Sequence, residues 1–178
     1  MSHQFTPGEQ LNYPDYAKVS VIDDFLPKDM FERACAESKK LYKQGKNFRT
    51  NESWGQHLRK SSTPVMITNV TDQQVNDSIA VEVSRIGKYS QRTIYHYWPV
   101  GSYLPWHNDG RHKAAVTLYL SEHYVDDGGY FMYDAGNGIK AVLPKPNRAV
   151  FITGGIYHCV TTVNSGSSIR RSLQVWLR

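Results

Sequence analysis

TIYHYWP (93–99), AAVTLYL (114–120), GYFMYD (129–134), KAVLP (140–144), RAVFIT (148–153) and RRSLQVWLR (170–178) are the runs that decide the fold. Each is short, rich in β-branched and aromatic residues, and bounded by turn formers such as Asp126-Asp127-Gly128. Strands at this spacing predict a small antiparallel sandwich or jelly roll, a mainly β (α+β) fold with helices packed outside. The high aromatic content, 12 Tyr and 4 Trp, suits half-buried sheet surfaces and pocket walls.

Upstream of residue 90 the texture is different. VSVIDDF (19–25) reads as a short strand, and Pro27 suits the first turn of a helix. Met30, Phe31, Ala34, Cys35 and Leu41 then recur at roughly helical spacing to about Tyr42. Lys43 to Pro64 has no clean period and reads as loop, and Thr71 and Asp72 can cap a second helix through Ile79, Val83 and Ile86. No repeat or linker divides the 178 residues, so the expectation is a single domain, 1–178. Within it, 1–17 is an arm, 18–90 a helical support, and 91–178 the jelly-roll core.

Apolar residues make up 40% of the chain and charged residues 21%, as in an ordinary soluble protein. The net charge of +5 contains no block of like charge, so it points to a Lys-rich surface rather than a nucleic-acid arm. Two distant cysteines, Cys35 and Cys159, argue against a disulfide framework and fit a reducing, cytoplasmic setting. No apolar run approaches membrane-spanning length, and the N-terminus lacks a signal pattern.

The chemistry is carried by Trp106-His107-Asn108-Asp109-Gly110. Extended residues two apart share a face, so His107 and Asp109 can present an imidazole and a carboxylate to one ion. His158, just after a predicted strand, is the candidate third ligand. Two His and one carboxylate on one side of a metal leave three adjacent positions open, the arrangement of non-haem Fe(II) oxygenases. By itself His-x-Asp is a common pattern, and weight comes only from further residues in order. Arg170, Ser172, Gln174 and Trp176 share one face of the last strand, and Leu173, Val175 and Leu177 the other. An Arg inside a barrel requires an anion, which a dicarboxylate supplies bidentately. At this level either Arg170 or its neighbour Arg171 can be the inward one.

These pieces together resemble the Fe(II)/2-oxoglutarate-dependent dioxygenases, specifically the prolyl 4-hydroxylase-like branch. The matches run in order: Tyr97-x-x-x-Gly101-x-Tyr103 into His107-x-Asp109, Leu118-Tyr119-Leu120, Asp127-Gly128-Gly129 and Phe131-Met132-Tyr133. Pro144-Lys145-Pro146, Ala149-Val150-Phe151, His158-x-Val160-x-x-Val163 and Arg170-x-Ser172 with Trp176 follow. The resemblance implies a double-stranded β-helix in which His107, Asp109 and His158 bind Fe(2+). It implies Arg170 on the distal carboxylate of 2-oxoglutarate, helped by Tyr119 and Ser172, with Tyr97 near the metal. O2 is then the second co-substrate, succinate and CO2 the co-products, and ascorbate a candidate reductant. Halogenating members carry a small residue at the Asp109 position, so the carboxylate implies C–H hydroxylation. Two departures stand out: the His158–Arg170 interval is long, consistent with an expanded turn at Asn164–Ser168, and Asn147 replaces a common Gly.

Phe48-Arg49-Thr50-Asn51-Glu52-Ser53-Trp54 resembles the substrate loop of prolyl hydroxylases. This implies a lid over 44–62, with Arg49, Trp54 and also Trp176 as substrate contacts and a peptidyl proline as the first-choice substrate. A free amino acid, another small molecule or a nucleic-acid base are the alternatives. The nucleic-acid demethylase branch carries a second Arg six residues after the co-substrate Arg, where this chain has Trp176. The non-enzymatic alternative is a jelly-roll binding module with structural histidines.

Overall fold

Two antiparallel sheets face each other, and two helices cover the outer face of the larger one. The computed structural model describes residues 19–45, 49–50, 64–110, 112–122, 124–136, 138–164 and 169–178. The strands are β1 (Val19–Ile22), β2 (Arg49–Thr50), β3 (Met66–Asn69), β4 (Gln91–Trp98), β5 (Leu104–His107), β6 (Ala114–Tyr119), β7 (Phe131–Asp134), β8 (Ile139–Val142), β9 (Ala149–Thr153), β10 (Tyr157–Val160) and β11 (Arg170–Leu177). The helices are α1 (Lys28–Gln44) and α2 (Gln73–Ser84). The major sheet has the order β1-β9-β6-β11-β4-β3-β2, and the minor sheet β5-β10-β7-β8. This is the mainly β architecture with outer helices that the strand spacing predicts.

Strand alternation divides the side chains between two cores. Tyr95 and Tyr97 of β4, Val116 and Leu118 of β6, and Leu173, Val175 and Leu177 of β11 pack towards the helices with Ala34, Val75, Ile79 and Val83. The alternate residues, among them Trp98, Ala115, Tyr119, Val150 and Ile152, meet Leu104, Phe131 and Val160 of the minor sheet. The second core is incomplete by design, because several of its positions are polar.

The helices are fastened by one carboxylate. Glu37 of α1 accepts from the Thr71 N–H, the Thr71 hydroxyl and the Asp72 N–H, and its other oxygen accepts from the Tyr95 hydroxyl at 2.7 Å. Asp72 in turn is the N-cap of α2, accepting from the amides of Gln74 and Val75. The capping residues read from the sequence are therefore also the joint between both helices and β4.

Asn147 explains its own departure from Gly. It holds a left-handed backbone, φ 60°, which Asn tolerates best among residues with a side chain. Its buried amide accepts from the Leu26 N–H and donates to the Leu26 carbonyl, pinning the entry to α1. The main gaps in the sequence reading are strands β3, β5 and β10, too short to show a period of their own. The 1–17 arm, Trp54 and nearly all of the 44–62 lid segment lie outside the described residues, as does most of the Asn164–Ser168 turn. Arg49 pairs with Ile67 at the sheet edge through its backbone.

Candidate metal centre

His107 ends β5 and His158 lies in β10, directly opposite it in the antiparallel register. Cross-strand neighbours place their side chains in contact, and the two imidazole centroids are 4.2 Å apart. Asp109 follows in a turn rather than in the strand, a correction to the extended reading of His107–Asp109. The Asn108 side chain accepts from the Gly110 N–H and the Asp109 carbonyl accepts from the His112 N–H, bending the chain just after His107. The carboxylate still arrives beside the rings, with Oδ1 3.8 Å from His107 Nε2 and Oδ2 3.7 Å from His158 Nε2. The donor atoms of the three residues all lie within 4.8 Å of one another.

Protonation of the rings follows from their other nitrogens. His107 Nδ1 is 2.8 Å from the Pro105 carbonyl and His158 Nδ1 is 3.0 Å from the Ile156 carbonyl. A carbonyl only accepts, so each Nδ1 carries a hydrogen, and each Nε2 is the nitrogen turned towards Asp109. Phe131 stacks on His158 at 5.2 Å and holds its plane. Two oriented imidazoles and a carboxylate are a donor set that would suit Fe(II).

Gly154 lets the turn after His107 sit where it does. A Cβ there would lie 1.9 Å from the His112 carbonyl oxygen and 2.9 Å from that of Asp109. Gly154→Ala is expected to lose roughly 1–3 kcal/mol of stability through overpacking and to weaken metal retention by displacing Asp109. Thermal unfolding together with Mn(II) titration measures both; a variant that melts and binds as the parent does would show that the turn yields freely.

The other end of the cleft is built by β11. Arg170 points into it, with its guanidinium 4.8 Å from the Trp98 ring centroid and 5.4 Å from that of Tyr119. It is 4% exposed, and its Nε and Nη1 meet no hydrogen-bond partner among the described residues, nor does the Tyr119 hydroxyl. Burial lowers the Arg170 pKa to about 10, with Tyr119 opposing, and raises that of Tyr119 to about 12, with Arg170 opposing. A buried cation and hydroxyl left with spare donors form a site for an anion, and a carboxylate would satisfy both. Gly129, at φ 63°, makes room for the arginine stem, since a Cβ there would come within 3.1 Å of Nε.

Arg171 takes the opposite face. Its Nη1 donates to the Cys35 carbonyl of α1 and its backbone N–H to the Ser121 hydroxyl. The choice left open by the sequence is thus made in favour of Arg170. Ser172 also lies on the cleft side, where its hydroxyl accepts from Trp98 Nε1 at 3.0 Å and so acts by holding the wall. Trp176 lines the cleft beside His96, with ring centroids 5.9 Å apart.

Tyr97 does not join them. It is fully buried on the helix side of β4, stacked on Tyr42 with its hydroxyl donating to the Ser38 carbonyl. Its expected place near the metal is corrected: adjacent residues on a strand face opposite ways, so Trp98, next along β4, reaches the cleft instead. His96, Trp98, Thr117 and Phe131 also line the cleft and were missed in the sequence, whereas Gln174 lines it on the Arg170 face where alternation puts it. The period of two along β4 and β6, anchored on Arg170 facing inward, is the signal that would have found His96, Trp98 and Thr117.

The sequence profile of the family described as the 2OG-Fe(II) oxygenase superfamily matches residues 92–178. No curated protein sequence matches the chain. Among solved structures, a prolyl-4-hydroxylase from Pseudomonas putida aligns with a TM-score of 0.72 at 20% identity, covering 92% of this chain and 93% of its own. A Trichoplax adhaerens prolyl hydroxylase, in complex with a hypoxia inducible factor oxygen degradation domain peptide, aligns at 0.72 with 16% identity, covering 89% and 82%. The viral collagen prolyl hydroxylase of Paramecium Bursaria Chlorella virus-1 aligns at 0.62 with 17% identity, covering 90% and 95%. At these identities the likeness is one of fold, the double-stranded β-helix.

Proposed function

We propose that the chain, whose residues 92–178 match the 2OG-Fe(II) oxygenase superfamily, is a hydroxylase of peptidyl proline. On this reading it is a dioxygenase that takes Fe(2+), 2-oxoglutarate and O2. The observation carrying the site assignment is the convergence of His107, Asp109 and His158 at one end of a cleft whose other end is Arg170.

When bound, ferrous iron with 2-oxoglutarate and O2 supplies the oxidising power to convert a C–H bond to C–OH, yielding succinate and CO2. The chain's own residues do the rest. His107 and His158, their Nδ1 hydrogens tied to main-chain carbonyls, and Asp109 hold the iron. Arg170 grips the distal carboxylate, the Tyr119 hydroxyl donates to the same group, and Ser172 keeps Trp98 under the guanidinium. Burial of both sides of the cleft keeps water from the reacting centre. Ascorbate is the proposed reductant that keeps the iron ferrous.

The peptidyl substrate is supported by the recurrence of prolyl hydroxylases among the similar structures, one of them holding a peptide. Trp176 at the cleft wall, with Arg49 and Trp54, is assigned to substrate contact. Among the described residues no helix is long and apolar enough to cross a membrane, and the cytoplasm is the proposed location.

Anaerobic addition of Fe(II) and 2-oxoglutarate is expected to give a weak visible charge-transfer band, and a colourless mixture would remove the oxygenase assignment for this site. With O2 admitted, proline-containing peptides are expected to stimulate succinate release several-fold over free amino acids. Equal or greater stimulation by free amino acids would overturn the peptide reading alone.

A further inference from the structure

On the inward face of β11, Arg170, Ser172 and Trp176 have roles in the reading above, and Gln174 does not. It is half-buried, lines the same cleft as the three metal-ligand candidates and Arg170, and sits opposite Thr117 in the β6–β11 register. The Thr117 hydroxyl donates to Gln174 Oε1 at 2.7 Å. That bond occupies the amide oxygen and fixes the plane of the amide, so its two N–H donors are directed away from Thr117.

We infer that Gln174, aimed by Thr117, is a binding residue for the keto-acid end of 2-oxoglutarate and lets the cleft distinguish co-substrate from the product succinate. This rests on the reading that the cleft takes 2-oxoglutarate. Residues four apart on a strand have Cα atoms about 13 Å apart. The Arg170 guanidinium is near both the Trp98 ring, whose residue pairs with Arg170 itself, and the Tyr119 ring, whose residue pairs with Ser172 two positions further along towards Gln174. A five-carbon dicarboxylate held by Arg170 therefore extends over Ser172 towards the Gln174 amide. At its far end 2-oxoglutarate carries a carboxylate and a keto oxygen, both acceptors. Succinate is one carbon shorter and has no keto oxygen. A donor placed to meet the C1 carboxylate favours the longer ligand, because succinate lacks that carbon, its former keto carbon having become the shorter ligand's terminal carboxylate.

The test is calorimetric titration of the Mn(II)-loaded protein with 2-oxoglutarate and, separately, with succinate. Gln174→Met keeps the side-chain volume and removes the donors. It is expected to weaken 2-oxoglutarate roughly 10- to 100-fold, as for a lost hydrogen bond to a charged group, and succinate less than about threefold. Gln174→Glu is expected to weaken 2-oxoglutarate further, because a carboxylate repels one. Thr117→Val, which frees the amide to rotate, should move the same ratio in the same sense. Unchanged or equally reduced affinity for both ligands in Gln174→Met overturns the inference while leaving the cleft assignment standing. Parental binding of 2-oxoglutarate by Gln174→Glu overturns it as well, since the amide would then present its acceptor. Failure of the parent protein to bind 2-oxoglutarate would instead overturn the cleft assignment itself, and this inference with it.

Discussion

His107→Ala and Asp109→Ala are each expected to abolish 2-oxoglutarate-dependent succinate formation while leaving the protein folded. Each change removes one of three donors that lie within 4.8 Å of one another. Partners one step removed from a metal are worth about 10- to 100-fold in affinity, so a direct donor is worth more than that. The fold should tolerate the loss, because neither side chain belongs to the apolar cores and Asp109 is partly exposed. Equilibrium Mn(II) binding, succinate formation and thermal unfolding on the same preparations separate the outcomes. Activity retained with either alanine would show that the metal is held elsewhere. Lost activity with full metal binding would show that the residue acts on something other than the ion.

Arg170→Ala and Arg171→Ala are expected to behave oppositely although the residues are neighbours. Arg170 is buried with spare donors in the cleft, whereas Arg171 donates to the Cys35 carbonyl on the helix side. Truncating one member of a buried charged pair costs about 2–5 kcal/mol, so Arg170→Ala should raise the 2-oxoglutarate requirement at least about 30-fold. Arg171→Ala should leave that requirement within about threefold and lower thermal stability by roughly 1 kcal/mol, through the lost hydrogen bond and packing against α1. The dependence of succinate formation on 2-oxoglutarate concentration, set beside unfolding curves, reads both. An increased requirement in Arg171→Ala alone would mean that β11 presents its other face to the cleft.

The contrast between these two arginines shows how far linear sequence reaches. Alternation along residues 170–177 says that they face opposite ways, but not which way is inward. Only the pairing of Arg170 with Trp98 on β4 and the packing of α1 on the other face decide it. The same limit caused the Tyr97 error. A tyrosine at a fixed distance before His-x-Asp resembles a site residue, yet its ring direction depends on which face of β4 the helices cover. Asp109 reached the metal-ligand position by a turn, not by strand geometry, because Asn108 and Gly110 favour a bend that a two-residue face argument does not see.

Residue types and order were sufficient for six of the eight strands in the jelly-roll half, the outer helices, the three metal-ligand candidates and the pair of arginines from which the cleft takes one. Those features follow from local periodicity and from chemistry that needs particular side chains, both of which are written along the chain. The cleft's walls, the orientation of each imidazole, the joint made by Glu37 and the amide held by Thr117 came only with the folded structure. The walls, the joint and the amide depend on contacts between residues tens of positions apart, and the imidazole orientations on carbonyls two residues back whose direction the local backbone sets; no sequence pattern records which sheet face or which carbonyl a side chain will meet.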